Sequence, residues 1–227
     1  MTFLRRLLPT GKGPQLTAAS VGLGIAVGFV VSVFEYLTLE VVFHTLTELP
    51  LWAKAIAPLI GLGLSALVLR TVGGGISGST SDEYINAYHA RTPNLPLRAL
   101  PARLMDGVAT IGLGGALGVE GPSIYAGSTL GVQLHKRIER WVGRDGAKLL
   151  LTAGAAAGVA AVFQAPATGV IFALEAPYRD DLAHRALLPA LFASASSYLT
   201  FISMPFIHPA PLLGQAWPLG LGAGDLV

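Results

Sequence analysis

The sequence predicts an all-α, polytopic membrane protein of short, tilted and broken helices. Three observations predict it. Of 227 residues, 52% are hydrophobic and only 12% are charged, about half the ~25% usual in soluble domains. The charges leave long gaps: 22 residues between Lys12 and Glu35, 15 between Lys54 and Arg70, 26 between Lys148 and Glu175, and 39 between Arg185 and Asp225. The apolar stretches in the middle of the chain are short and interrupted by glycine and proline, which number 28 and 15 and are commoner in membrane helices than in soluble ones. A mean hydropathy of +0.61 excludes a disordered chain, and too few charges exist to cover a soluble enzyme. Cysteine is absent, so no disulfide, thiolate nucleophile or Cys-ligated metal site exists. A net charge of +2 argues against a nucleic-acid partner.

The elements follow in order. A membrane-spanning helix needs about 20 apolar residues. The first stretch fits one span running to about Leu46, with Glu35 and Glu40 facing protein or the interface, and Glu40 and Glu48 near the far side. A signal peptide fits poorly, because the apolar run is too long for an h-region. A second span lies between Lys54 and Arg70. Asp82-Glu83-Tyr84-Ile85 makes a good first helical turn, its acids near the positive end. Pro122 suits the first helical position, so a helix starts there and runs toward His135. The stretch before Glu175 is split at residues 164–169 into pieces of about 14 and 10 residues. A last span runs from about Ala186 to Ile207, with a Pro-rich tail. Helices that end inside a bilayer are tolerated only where their loose backbone groups line a cavity or are buried in protein. The interruptions therefore point to a transporter or channel rather than an anchor.

Arg5, Arg6 and Lys12 before the first span indicate a cytoplasmic N-terminus. The run from His135 to Arg144 reads as a second cytoplasmic loop, with Trp141 as an interfacial anchor. It is a solvated basic loop rather than a specific lipid site.

Three glycine-rich segments carry the chemistry. In Gly73-Gly74-Gly75-Ile76-Ser77-Gly78-Ser79-Thr80, backbone N–H groups can converge on an anion ahead of a helix N-terminus; the plainer reading is a flexible turn. No Gly-Lys-Ser/Thr follows, so this is no P-loop. In Gly118-Val119-Glu120-Gly121-Pro122-Ser123, Glu120 sits at the positive end of a helix. It is either an ordinary capping acid or a tethered carboxylate competing with a free anion for the same donors, a gate opened by a proton. In the third segment, Gly154 to Glu175, Gly154 and Gly158 form a small-xxx-small face for close helix contact. Gln164 and Glu175 are its polar exceptions.

Taken together, the three segments resemble the CLC family of chloride channels and chloride/proton antiporters. Gly118-Val119-Glu120-Gly121-Pro122 matches the family's G-x-EGP segment, and Ala156 through Glu175 matches its AAGxAAxFxAPxxGxxFxxE stretch. Gly73-Gly74-Gly75-Ile76-Ser77 matches GSGIP in part. Gly74 stands where the family's serine gives its hydroxyl to chloride, and Ser77 stands where proline is usual. The resemblance implies anion (chloride) transport with no cofactor, gating by Glu120, anion contacts from Gly74, Gly75, Ile76, Ser77, Val119, Glu120 and Gly121, and a proton path through Glu175. Ser77, Ser79 or Thr80 could replace the missing hydroxyl. Ala176 stands where family antiporters commonly carry a second glutamate, which implies a channel-like or uncoupled parent.

Residues 1–227 resemble only the first of the family's two inverted repeats. The Gly-x-Phe-x-Pro motif and the tyrosine of the second half are absent, and no CBS pair follows. This implies either a fragment, its tail cut in a loop, or a partner chain supplying the other repeat. The competing function class is a membrane subunit or truncated remnant that folds and dimerises without conducting. The resemblance further implies an integral membrane protein of a bacterial plasma membrane and a homodimer, its contact formed by about Ala167–Leu174 and Ala186–Met204, with Ala193 and Ser197 as small contact residues. His44, His89, His135, His184 and His208 are scattered without metal-ligand spacing, and no G-x-S-x-G elbow is present, so neither a metal centre nor an enzyme is expected.

Overall fold

The computed structural model describes residues 13–178 and 181–207, and among them every regular element is helical. The first is a continuous helix of 35 residues, Gly13–Thr47. Its α-helical part, α1 (Gly13–Glu35), passes into a π-helical stretch, Tyr36–Phe43, and a final α turn, His44–Thr47. At 1.5 Å per residue it is about 52 Å long, longer than the ~30 Å hydrocarbon thickness, so it must tilt or project. The π stretch wraps the far end of α4, where a Cβ at Gly112 would lie 3.2 Å from the Thr38 carbonyl oxygen.

Pro50 breaks the chain and α2 (Leu51–Thr71) follows. Then come α3 (Ser81–His89), α4 (Ala99–Gly112), α5 (Glu120–Val142), α6 (Gly146–Phe163), α7 (Pro166–Glu175) and α8 (Leu187–Ile202). The expected break at residues 164–169 falls at Gln164, left-handed at φ 51, with Pro166 opening α7. The helix expected to start at Pro122 starts at Glu120 instead, so Glu120 lies inside the first turn rather than before it. Among the described residues, four segments are long and apolar enough to cross a membrane: Gly13–Thr47, Leu51–Thr71, Gly146–Phe163 and His184–Ile202. The last expected span therefore stops about five residues short of Ile207, and the tail expectation lies outside the described residues.

The core sits where α5, α6, α8 and α1 meet. Small residues let these backbones touch. A Cβ at Gly154 would strike the Gly127 carbonyl, and one at Gly158 the Ser123 carbonyl. The expected small-xxx-small face is thus the α5–α6 contact. Every residue from Leu150 to Ala161 is buried. α8 packs likewise on α1: Gly24 meets Ala193, and Gly28 meets Ser197. The Ser197 hydroxyl donates to the Ala157 carbonyl at 2.8 Å. Ala193 and Ser197 are both fully buried, which corrects the expectation that they form a contact between subunits. They are occupied inside the chain, and the outward face of α8 carries Leu191, Phe192 and Leu199 instead.

Candidate functional site

Two helix N-termini converge at one junction. α3 begins at Ser81 with Asp82 and Glu83 in its first turn, and α5 begins at Glu120. A Cβ at Gly121 would lie 2.5 Å from the Thr80 hydroxyl oxygen, so Thr80 abuts the first turn of α5. The first amides of a helix have no intrahelical acceptor. Here Pro122 has no N–H and Ser123 bonds back to the Val119 carbonyl at 3.2 Å, so the amides of Val119, Glu120 and Gly121 are the ones free to bind at the positive end of α5. The Glu120 side chain folds back over Gly118, where a Cβ would overlap its carboxylate. Gly118 is exposed and Glu120 half-buried.

The first glycine segment divides into two parts. Gly74 and Gly75 adopt φ of 69 and 85, a left-handed conformation that glycine takes without the Cβ penalty. The Gly75 N–H donates to the Leu69 carbonyl at 2.9 Å, so that expected anion donor is engaged with the end of α2. Ile76 packs partly into the core. The Ser77 hydroxyl accepts from the Ser79 N–H at 3.1 Å, and the Ser79 hydroxyl donates to Asp82 at 2.8 Å. Of the three candidate hydroxyls, Thr80 is the one placed at the start of α5.

Arg103, which the sequence reading passed over, ties the junction together. It is 1% exposed. Its guanidinium donates to the Ser79 carbonyl and the Glu83 carboxylate and lies 4.4 Å from the centre of the Tyr125 ring. It therefore fixes a cation behind both helix starts. A buried charge is tolerated when paired. The signal in the sequence was two charges, Arg103 and Asp106, inside an otherwise apolar α4; Asp106 is capped by the Ser65 hydroxyl of α2.

Glu175 is exposed at the C-terminal end of α7, away from the junction. The other end of α3 docks there: Tyr88 and Tyr178 share a hydrogen bond of 3.0 Å, and the His89 ring nitrogen lies 2.6 Å from the Pro177 carbonyl oxygen, while from the first turn the Tyr84 hydroxyl donates to the Ala173 carbonyl at 2.6 Å. The nine residues of α3, about 13 Å of helix, connect the Glu120 end with the Glu175 end. Glu35 lies where α1 turns π-helical, with one carboxylate oxygen buried and without a hydrogen-bond partner. Glu40 and Glu48 are exposed.

Fold and junction define a polytopic helical membrane protein with broken helices meeting at their N-termini. A sequence profile described as Voltage gated chloride channel matches residues 61–221, and the chain belongs to that family. It is 31% identical over 188 residues to the H(+)/Cl(-) exchange transporter ClcA of Citrobacter koseri, a match covering 76% of this chain and 38% of that one. The fold is similar to a CLC-type fluoride/proton antiporter at TM-score 0.74 and 25% identity, over 92% of this chain and 51% of that one. It is also similar to a slow cyanobacterial Cl-/H+ antiporter at TM-score 0.67 and 24% identity, over 83% and 46%. The chain thus spans between 38% and 51% of the length of these relatives.

Proposed function

We propose that this chain is the first-repeat half of an anion-transporting assembly, chloride being the first anion to test, and that Glu120 is its gate. One observation carries this reading: a carboxylate folded over Gly118 where the starts of α3 and α5 meet, beside Thr80 and with Arg103 behind. Ionised, Glu120 competes with a free anion for the Val119–Gly121 amides; protonated, it withdraws. Residues beyond this chain, on the same or another polypeptide, supply the second half of the path. The assembly sits in a bacterial plasma membrane with the N-terminus cytoplasmic. In a homodimer, Leu191, Phe192 and Leu199 of α8 are the exposed apolar residues available for contact.

Coupling to protons has support on both sides. Ala176 lacks an acid where the family commonly has one, which argues for uncoupled anion movement. The matched relatives are named as proton exchangers, which argues for exchange, with Glu175 as the proton acceptor of this half. The test is anion flux and proton uptake in liposomes holding the complete assembly. Acid should raise wild-type flux, and Glu120→Ala should remove that rise. A wild-type pH dependence in Glu120→Ala reduces Glu120 to a helix cap. Proton uptake at a fixed ratio, lost in Glu175→Gln, establishes exchange; its absence establishes the uncoupled path.

A further inference from the structure

The N-terminal half of α1 and the C-terminal half of α5 do not close on each other. Between them lies a cleft of about 380 Å³, a volume typical of small-molecule sites. Its walls are apolar: Gly22 and Ala26 of α1, Leu97, and Leu130 and Leu134 of α5. The polar residues of the lining are Gln133 and Arg137. The Gln133 amide is committed to the Leu95 carbonyl at 2.7 Å. Arg137 is exposed and, among the described residues, belongs to no ion pair.

The surroundings of Arg137 are basic. The hydrogen bond from Gln133 to Leu95 and another from Lys136 to Asn94 at 2.9 Å dock the α3–α4 connection onto the end of α5. Arg91 and Arg98 lie in that connection, and Arg140 and Arg144 follow on the other side, outnumbering the acids Glu139 and Asp145 among them. Read from sequence alone, this cluster is a solvated loop. The apolar cleft beneath it changes that reading.

We propose that the cleft is a binding site for an anionic phospholipid of the cytoplasmic leaflet, with an acyl chain between α1 and α5 and the phosphate on Arg137. Basic pockets between membrane helices on the cytoplasmic side suit such headgroups. The charge pattern selects this occupant over the chain's own first 12 residues, which hold Arg5, Arg6 and Lys12 but no acid and would be repelled by the same cluster. The inference uses no residue of the Glu120 junction and rests on the proposed function only for the cytoplasmic placement of the N-terminus.

The test is native mass spectrometry of the purified full chain with dioleoyl phosphatidylglycerol or dioleoyl phosphatidylcholine, which share acyl chains and differ in charge. Phosphatidylglycerol should be retained preferentially. Arg137→Gln should lower its retention about fivefold, the effect of one basic residue at a lipid surface. A Cβ at Gly22 meets no atom within 4 Å, so Gly22→Leu adds side chain on the cleft wall and should lower retention about tenfold by displacing acyl chain. Gly63→Leu, also in open space but on α2, should change nothing. Equal retention of the two lipids overturns the proposal, as does undiminished retention in Gly22→Leu. Removal of residues 1–12 should leave retention unchanged; a rise would make that segment the occupant and overturn it too.

Discussion

Helices α2 and α6 are almost equally apolar, with mean hydropathies of 1.7 and 1.6, yet 11% of α2 is buried in the chain against 78% of α6. Hydropathy reports the bilayer, and side-chain size decides the partner. α6 is Ala- and Gly-rich, so neighbouring backbones reach it, as Gly127 and Ser123 do at Gly154 and Gly158. Between membrane helices no hydrophobic drive separates lipid from protein, and close packing of small residues supplies the association. α2 presents Leu59, Ile60, Leu62, Leu64 and Leu67 outward. It touches α4 closely at Gly61, where a Cβ would lie 2.6 Å from the Ala109 carbonyl oxygen.

The largest effect that this contrast predicts is Gly154→Leu. With the Gly127 carbonyl in its way, the side chain should cost ~3 kcal/mol by overpacking, read as a lower melting temperature in detergent. The same change at Gly63 of α2 should stay within ~0.5 kcal/mol of wild type. Equal losses at both sites would show that close backbone contact does not distinguish α6 from α2.

Arg103→Met comes next, and probes a polar contact rather than a packed one. Removing one partner of a buried pair costs about 3–5 kcal/mol; Glu83 keeps 33% of its side-chain surface exposed, so the lower end is expected. Thermal melting checks it, and an unchanged melting temperature would show that Arg103 is not holding α3 to α5. The smallest effect is that of Thr80→Val. It keeps the shape and removes one hydroxyl, so anion flux should fall about tenfold, the worth of a hydrogen bond to a charged group, with melting unchanged. Unaltered flux would move the missing hydroxyl elsewhere in the loop.

Much of this was legible in the sequence, for physical reasons. Charge gaps placed the spans, Pro166 and the residues before it placed the break between α6 and α7, and the Glu120-Gly121-Pro122 run placed a helix start. The π stretch after Glu35 was not legible, because its residues are as apolar as those around it. The role of α8 was misread for a related reason: a small residue marks a close contact without saying with whom, and Ala193 and Ser197 meet α1 and α6. Arg103 was missed because its partners, Ser79 and Glu83, lie at separations of 24 and 20 residues. Periodicity within one helix cannot reveal such pairings.

In the proposed gate, the Glu120 carboxylate and a free anion compete for the same amides at the start of α5. Isothermal titration of chloride into the complete assembly that contains this chain measures that competition. Glu120→Gln should bind chloride more tightly than wild type at neutral pH, and the two should converge as acid protonates the wild-type carboxylate. Chloride affinities that are equal at neutral pH, or that stay apart in acid, would contradict the claim.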